Sequence, residues 1–226
     1  MGPNVTTMVK YLVIACAVTF ILQFGAGAEM TLIFGLTPFA VLEKLFVWQF
    51  FTYLFLHGDF WHLFFNMFAL WMFGCELERY WGSREFLRFF LVTGVGAGVL
   101  SILFDPLGQT PTIGASGSIY GILMAYGMMF PDRQVYLYFL FPIKVKYFVA
   151  FLGAIAFFSA LGTSGSTIAH VAHLGGMVFA FLYLKGWLSW SGMRQSSHRW
   201  RIKRMRERFK VYEKKPPSRK DDFWIH

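Results

Sequence analysis

Charged residues are scarce in this chain. Only 15% of its 226 residues are Asp, Glu, Lys or Arg, and 56% are hydrophobic, whereas a soluble domain carries about 25% charged residues. This shortage excludes an ordinary soluble domain. It predicts an all-α, polytopic membrane protein, because a helix satisfies its own backbone hydrogen bonds in lipid.

Cysteine is also rare. The two cysteines, Cys16 and Cys75, lie on different apolar segments, and neither has another Cys or a His at the spacing of a metal site. We interpret both as packing or lipid-facing residues. They indicate nothing about the redox compartment.

The net charge of +9 is confined to one end of the chain. Residues 1–184 hold 8 basic and 8 acidic residues, whereas residues 185–226 hold 13 basic and 4 acidic ones. Beside a membrane domain, such a tail is typical of attraction to anionic headgroups on the cytoplasmic side. We therefore predict a lipid partner for the tail, and no nucleic acid.

We assign residues 186–226 to this basic cytoplasmic tail. Within residues 198–212, apolar side chains recur on one helical stripe among basic residues, and Pro216-Pro217 follows. This pattern predicts an amphipathic helix on the membrane surface. The alternative is a disordered basic tail. The stripe consists of Ile202, Met205, Phe209 and Tyr212.

Six apolar segments can be drawn as membrane spans, which places a six-helix membrane domain in residues 1–185. The first resembles a secretory signal, but its apolar run is long and its basic region holds one Lys only. We interpret it as a retained helix. The segments are Val5–Phe24, Trp61–Leu77, Phe86–Phe104, Ser116–Phe130, Tyr147–Leu161 and Ile168–Leu184.

Loop charges predict the orientation of these spans. The second and fourth loops and the tail are rich in Lys and Arg, whereas the first, third and fifth loops are acidic or uncharged. Because basic loops stay on the cytoplasmic side, we expect both termini there. The simplest location is a prokaryotic plasma membrane.

The first loop, Gly25–Phe60, is rich in aromatic residues and is interrupted by Gly35 and Pro38. Such a composition is typical of a segment that lies in the interface plane, half immersed among the headgroups. The alternative is a buried seventh helix.

Polar side chains inside apolar spans are costly and mark functional sites. The second span carries His62 and Asn66 one helical turn apart, the fourth opens with Ser116, and the sixth carries His173. At 1.5 Å per residue, Ser116, His62 and His173 lie about 22, 21 and 18 Å from the inner ends of their spans. All three then lie roughly 8–12 Å below the outer boundary of a core about 30 Å thick, which predicts one shared site.

The chemistry of this set is acyl transfer. A serine hydroxyl such as Ser116 needs a neutral imidazole, here His173, to accept its proton. The backbone N–H of Ser116 and the side chains of His62 and Asn66 are candidates for the oxyanion hole. No carboxylate occurs at this depth, so the sequence favours a dyad. Tyr120, one turn after Ser116, is placed to stack on the imidazole.

Other interpretations fit parts of this pattern. Small and polar residues also serve close helix packing, and paired polar groups occur in transporters, although the halves of the chain show no internal repeat. The alternative function is therefore a non-proteolytic membrane protein, either a substrate-binding pseudo-protease or a small transporter. A metal site built from His57, His62, His170 and His173 lacks a carboxylate or cysteine at ligand spacing, so we predict no metal and no cofactor.

Together these residues resemble the rhomboid family of intramembrane serine proteases, over about residues 5–185. The resemblance implies a six-helix rhomboid bundle with Ser116 as nucleophile, His173 as general base and Tyr120 stacked on it. It also implies an oxyanion hole made by the Ser116 N–H, His62 and Asn66. The matching motifs are His57-Gly-Asp-Phe-Trp-His62-Leu-Phe-Phe-Asn66, Gly114-Ala-Ser116-Gly117, His173-Leu-Gly-Gly176 and the series Gly74, Glu78, Gly82.

The resemblance further implies the substrates, which are single-span membrane proteins cut within or beside their spans after entry near the second and fifth helices. Two positions depart from the family pattern. Gln49 follows Trp48 where many relatives have Arg, which predicts the loss of a contact that stabilises the first loop. Ala180 replaces a glycine in the sixth span, which predicts a slightly looser approach of the fourth and sixth helices. The sequence leaves the oligomeric state open.

Overall fold

Each of the six predicted spans falls on helix in the computed structural model, which describes residues 5–137, 141–162 and 167–186. The surface helix predicted at residues 198–212 lies outside the described residues. In chain order the elements are α1 Thr7–Phe34, α2 Pro38–Lys44, α3 Gln49–Thr52 with a 3-10 turn Tyr53–Phe55, α4 Phe60–Ala69, a π-helical turn Leu70–Gly74, α5 Cys75–Trp81, α6 Ser83–Phe104, α7 Ser116–Met129, β1 Gln134–Leu137, β2 Phe141–Lys144, α8 Val145–Ala160 and α9 Thr167–Leu184.

Three helices among the described residues are long and apolar enough to cross a bilayer, namely α1, α6 and α9. The α8 helix is apolar but shorter. The second predicted span, Trp61–Leu77, lies on α4, the π-helical turn and the start of α5, and the three elements follow one another from Phe60 to Trp81. The α7 helix has 14 residues, a length of about 21 Å.

The centre of the molecule is the packing of α6 against α7 and α9. The aromatic side chains of Phe86, Phe89 and Phe90 on α6 are fully buried there. The α7 and α9 backbones are in direct contact. A Cβ on Gly176 would overlap the carbonyl oxygen of Gly117. Glycine at both positions allows the two helices to approach this closely.

The slightly looser approach predicted at Ala180 stays a prediction, and α7 and α9 are in close contact at Gly117 and Gly176. Ala180 lies one turn further along α9 and is fully buried in the core. The methyl group of Ala180 is therefore accommodated by packing, and the closest approach is set by Gly176.

The predicted start of the first loop at Gly25 is wrong. The α1 helix extends to Phe34 through a kink at Gly27, where φ is +61° and ψ is −149°. Glycine adopts this left-handed φ without steric cost, and residues 28–34 then resume the helix with good helix formers such as Ala, Glu, Met and Leu. The remainder of the predicted loop contains α2 and α3.

The prediction of an all-helical chain is incomplete. Strands β1 and β2 form an antiparallel hairpin between α7 and α8, within the fourth loop between the predicted spans. The strands contain the Val, Ile, Tyr and Phe residues that fit a pleated surface. The paired residues are Gln134 with Lys144, Val135 with Ile143, Tyr136 with Pro142, and Leu137 with Phe141.

The helix containing the second predicted span continues past Leu77 to Trp81, and the carboxylate of Glu78 in this continuation is fully hydrogen-bonded. That carboxylate accepts hydrogen bonds from the hydroxyls of Thr6 and Ser83 (both 2.5 Å) and from the backbone N–H groups of Met8 (2.8 Å) and Val9 (2.9 Å). Both N–H groups belong to the first turn of α1, where backbone N–H groups have no intrahelical acceptor. Glu78 thus caps α1 from a distant part of the chain.

The same contacts determine the ionisation of Glu78. Burial alone would raise the pKa of its carboxyl, but the hydrogen bonds from Ser83, Thr6, Met8 and Val9 together outweigh burial and lower the pKa below its ordinary value.

Candidate active site

The turn before α7 presents Ser116 as the first residue of the helix. Gly114 in this turn has a φ of +117°, and a Cβ there would lie 2.7 Å from Nε2 of His62. Only glycine meets both conditions without strain. The backbone N–H groups of the first turn of α7, including that of Ser116, have no intrahelical acceptor and are free to donate to an anion.

The structure brings Ser116 and His173 together. The Oγ of Ser116 lies 2.9 Å from Nε2 of His173, and both residues are partly buried. This contact joins the start of α7 to α9 and follows directly from the close approach of the two helices at Gly117 and Gly176. A hydroxyl at this distance from an imidazole nitrogen is within reach for proton transfer.

The imidazole of His173 is held by an aromatic ring. The Tyr120 ring stacks on it, with centroids 4.1 Å apart and an interplanar angle of 5°. The Nδ1 atom of His173 is buried without a hydrogen-bond partner among the described residues. Among the described residues, stacking on Tyr120 and the contact with Ser116 orient the ring, and no carboxylate contacts it.

The ring of His62 faces the turn that precedes Ser116. Its Nδ1 accepts a long hydrogen bond of 3.4 Å from the N–H of Gly58. In a neutral imidazole this contact leaves the ring proton on Nε2, the atom that lies against Gly114. His62 thus directs an N–H donor towards the first residues of α7.

Asn66 is buried one turn below His62. Its Nδ2 donates to the backbone carbonyl of His62 at 2.7 Å, while its Oδ1 is buried with no partner in the described ranges. The structure thus joins Asn66 to His62 and does not bring it into a hydrogen bond with Ser116. The second Nδ2 hydrogen remains a donor for a bound group.

Two further histidines flank the site. The ring of His57 contacts that of His62 with centroids 5.1 Å apart, and the ring of His170 contacts that of His173 at 5.8 Å. His57 is fully buried, and its backbone N–H donates to Oε1 of Gln23 on α1. Both histidines lie beside the site. No hydrogen bond among the described residues joins either of them to Ser116.

The first loop is fastened to the turn that carries Ser116. Leu36 and Thr112 exchange two backbone hydrogen bonds of 2.9 Å, and the N–H of Gly114 donates to the carbonyl of Tyr53, also at 2.9 Å. The Tyr53 hydroxyl is buried and donates to the carbonyl of Gly94 on α6 at 2.7 Å. Tyr53 therefore connects the first loop, α6 and the turn before α7.

Gln49, where the loss of a stabilising contact is predicted, makes contacts of its own in the first loop. Gln49 is fully buried. Its Nε2 donates to the carbonyls of Leu32 (3.3 Å) and Ile33 (3.1 Å), and its Oε1 accepts the N–H of Thr37 at 3.0 Å. The neutral amide thus joins the end of α1, the start of α2 and α3.

Sequence reasoning missed the roles of Tyr53 and Gln49. Both are polar groups in an otherwise apolar, aromatic stretch, and they lie four residues apart. That is the signal that identified His62 and Asn66 in the second span. The same test applied to the first loop would have found them.

Comparison with known proteins places the chain in a family. Residues 44–190, more than half of the chain, match the Rhomboid domain family. Rhomboid protein 1, mitochondrial, of Saccharomyces cerevisiae is 33% identical over 138 residues, which are 59% of this chain and 39% of that protein.

Two bacterial relatives carry the name of a protease. Rhomboid protease GluP of Bacillus subtilis is 31% identical over 177 residues, 76% of this chain and 33% of the relative. Rhomboid protease GlpG of Salmonella choleraesuis is 27% identical over 175 residues, 75% of this chain and 60% of the relative. The chain therefore spans between a third and three-fifths of the length of these three relatives. The family match and the apolar helices α1, α6 and α9 identify this chain as an integral membrane protein that belongs to the rhomboid family.

Proposed function

We propose that this chain is an intramembrane serine endopeptidase that uses Ser116 and His173 as a catalytic dyad. The observation that carries the proposal is the 2.9 Å contact between Ser116 Oγ and His173 Nε2 at the start of α7. The protease names of the GluP and GlpG relatives support the same reaction class.

The reaction follows from this contact. His173 takes the hydroxyl proton as Ser116 Oγ attacks the carbonyl carbon of the scissile peptide bond. The resulting imidazolium protonates the leaving amine as the C–N bond breaks, which leaves an acyl-enzyme. A water molecule, deprotonated by His173, then hydrolyses the ester and restores Ser116.

The oxyanion of the tetrahedral intermediate needs donors that are already in place. The Ser116 N–H lies at the free N-terminal turn of α7, and the Nε2–H of His62 faces the same turn. Asn66 supplies its second Nδ2 hydrogen after a small side-chain rotation. Each such donor contributes on the order of 3 kcal/mol in the transition state.

We further propose that the substrates are single-span membrane proteins that enter between α4 and α8. Both helices carry large aromatic side chains that no other part of the described structure covers. On α4, Trp61 and Phe65 are 63% and 61% exposed, and on α8, Phe151 and Phe158 are 59% and 70% exposed. Exposed apolar faces of this kind are open to lipid, from which a transmembrane segment would enter.

The membrane arrangement belongs to the proposal as well. We propose six spans with both termini in the cytoplasm, the site open to the outer side, and the basic tail on anionic headgroups. A prokaryotic plasma membrane is one location that suits this arrangement. Because relatives of this chain include a mitochondrial protein and a protein of Arabidopsis thaliana, other membranes fit the arrangement equally well.

Covalent labelling tests the dyad. Purified protein in detergent should react with a fluorophosphonate probe at Ser116, and Ser116→Ala and His173→Ala should each abolish the reaction. Ser101→Ala is the matched control, because the Ser101 hydroxyl donates to the carbonyl of Ala97 on its own helix, and it should leave labelling unchanged. Labelling that survives His173→Ala would remove the dyad, and no labelling of folded protein would favour a non-proteolytic binding protein or transporter.

Co-expression tests the substrate class. A panel of single-span membrane proteins should contain members that are cut within or beside their spans by the unaltered chain and left intact by Ser116→Ala. Cleavage of soluble proteins alone, with no cut in any membrane span, would contradict the proposed substrates.

A further inference from the structure

The β1–β2 hairpin has two different faces. Side chains of paired residues lie on the same side of an antiparallel ladder, and successive pairs alternate. Val135 and Ile143 are half-buried on the side that faces the helices, where Val135 packs against the core. Gln134, Tyr136 and their partners are exposed on the other side.

The apolar face continues beyond the protein that covers it. Phe141 lies on the same side as Val135 and Ile143 but is 67% exposed. A large ring that lies next to a half-buried pair, and that the described residues leave mostly exposed, suits an apolar environment. In an integral membrane protein that environment is lipid.

The level of the hairpin in the bilayer is indicated by three exposed tyrosines. Tyr136 on β1, Tyr147 on α8 and Tyr80 on α5 are 62%, 60% and 65% exposed. Tyr80 lies at the end of the bundle opposite Ser116, where it contacts Phe130 just beyond the last residue of α7. Tyr136 and Tyr147 belong to the hairpin and to the first turn of α8, which follow from that end of α7. Exposed tyrosines at one level are typical of the boundary between lipid and water.

The charges at the base of the hairpin are mostly paired with one another. Lys144 and Lys146 bind Asp132 at 3.3 and 2.9 Å, and Arg133 binds Glu76. The hydrogen bonds from Lys146 and Lys144 lower the pKa of Asp132, so its carboxylate stays charged at neutral pH. Little net charge therefore remains to attract anionic lipids, and apolar contact dominates.

The open edges of the hairpin limit how deep it can lie. A two-stranded ladder leaves half of its backbone N–H and C=O groups without partners, and these groups are costly in the hydrocarbon core. At the level of the headgroups, water and phosphates satisfy them. The hairpin therefore suits the interface and is excluded from the core.

We propose that the β1–β2 hairpin is a membrane-surface element that binds phospholipids in the plane of the interface. The face with Phe141 turns towards the acyl chains, and the face with Tyr136 turns towards the headgroups and water. The hairpin thus fixes the level of the ends of α7 and α8 in the bilayer, independently of any catalytic activity.

A photoreactive side chain tests this orientation in the full-length chain. p-Benzoylphenylalanine is placed at Phe141, or at Tyr136 as the matched control, and the protein is reconstituted in phosphatidylcholine vesicles. Irradiation should give phospholipid adducts severalfold more often at position 141 than at position 136, as measured by mass spectrometry. Equal yields, or a predominance of crosslinks to other protein copies at position 141, would overturn the proposal.

Spin labels provide a second measurement that does not depend on photochemistry. With Cys16 and Cys75 replaced by alanine, single labels are attached at F141C, Y136C and F151C, the last in the middle of α8. Accessibility to oxygen relative to a water-soluble nickel complex should fall in the order 151, 141, 136. Position 141 as accessible to nickel as position 136 would contradict the proposal.

Lipid charge distinguishes apolar contact from electrostatic attraction. The order of the three labels should be the same in pure phosphatidylcholine and in an equal mixture with phosphatidylglycerol. An order that appears only with the anionic lipid would overturn the conclusion that apolar contact dominates. None of these readouts uses peptidase activity, so their failure and the failure of the proposed dyad are distinguishable.

Discussion

The carbonyl oxygen of Tyr53 accepts the N–H of Gly114 at 2.9 Å, two residues before Ser116. A residue of the first loop thus holds the turn that presents the proposed nucleophile. Because Gln49 fixes the same loop to the end of α1, changes at Gln49 should reach Ser116 without any direct contact.

Gln49→Glu tests this connection with an almost isosteric change. The substitution keeps the acceptor for Thr37 but replaces the two donors to Leu32 and Ile33 with an oxygen atom. A buried group left without its partner costs about 1–3 kcal/mol, so we expect a lower melting temperature in detergent and slower fluorophosphonate labelling.

The control is the same chemical change at an exposed site. Gln134→Glu on β1 should leave melting and labelling unchanged, since Gln134 is exposed. If Gln49→Glu melts and reacts like the unaltered chain, Gln49 does not hold the first loop.

The sequence revealed the proposed dyad because polar groups are conspicuous in apolar spans. Ser116 and His173 were placed at one depth by counting residues, and the structure has them 2.9 Å apart. Tyr120 followed from helical periodicity, and its ring lies on that of His173. Each of these inferences required only the regular geometry of a helix.

The parts that the sequence did not reveal depend on backbone groups. The pairing of Leu36 with Thr112 uses N–H and C=O groups that almost every residue has, and it joins segments that lie far apart in the chain. The kink at Gly27 needs one unusual torsion angle in a helix of otherwise ordinary composition. The β1–β2 hairpin resembles a loop because its apolar strands are short and flanked by charges.

Gly176→Ala tests the close approach of α7 and α9. The added methyl group would overlap the carbonyl of Gly117, so the helices must separate and Ser116 must move away from His173. A misplacement of about 1 Å costs roughly 100-fold in rate. We therefore expect the rate of fluorophosphonate labelling to fall roughly 100-fold, with a smaller effect on the melting temperature.

Gly25→Ala is the matched control on α1. A Cβ at Gly25 meets nothing within 4 Å, and alanine favours helix over glycine. Labelling should be unchanged and the melting temperature equal or slightly higher. A Gly176→Ala variant that labels at the normal rate would show that the separation of α7 and α9 does not limit the reaction.

Tyr120 offers a test of ring stacking as distinct from hydrogen bonding. Tyr120→Phe keeps the ring parallel to His173 and should retain the labelling rate. Tyr120→Leu removes the stacking, which is worth about 0.5–1.5 kcal/mol, and should slow labelling about 2- to 10-fold. Equal rates for the two variants would mean that the ring does not orient His173.

The ionisation of Glu78 should make the stability of the folded protein depend on pH. Its carboxyl has a lowered pKa in the folded protein. The stabilisation provided by the ionised Glu78 carboxylate is therefore complete above the pKa that Glu78 has in the unfolded chain. It is lost as the pH falls through the lower pKa of Glu78 in the folded protein. We expect the melting temperature in detergent to decrease on acidification through this window.

Glu78→Gln should flatten that decrease, because a neutral amide at this position no longer titrates. It should also lower the melting temperature at neutral pH, since each hydrogen bond to the charged group is worth about 1.5–3 kcal/mol. Glu29→Gln, at an exposed position, is the control and should keep the slope of the unaltered chain. An equally steep slope in Glu78→Gln would assign the acid sensitivity to another group, and the capping of α1 by Glu78 would then contribute little to stability.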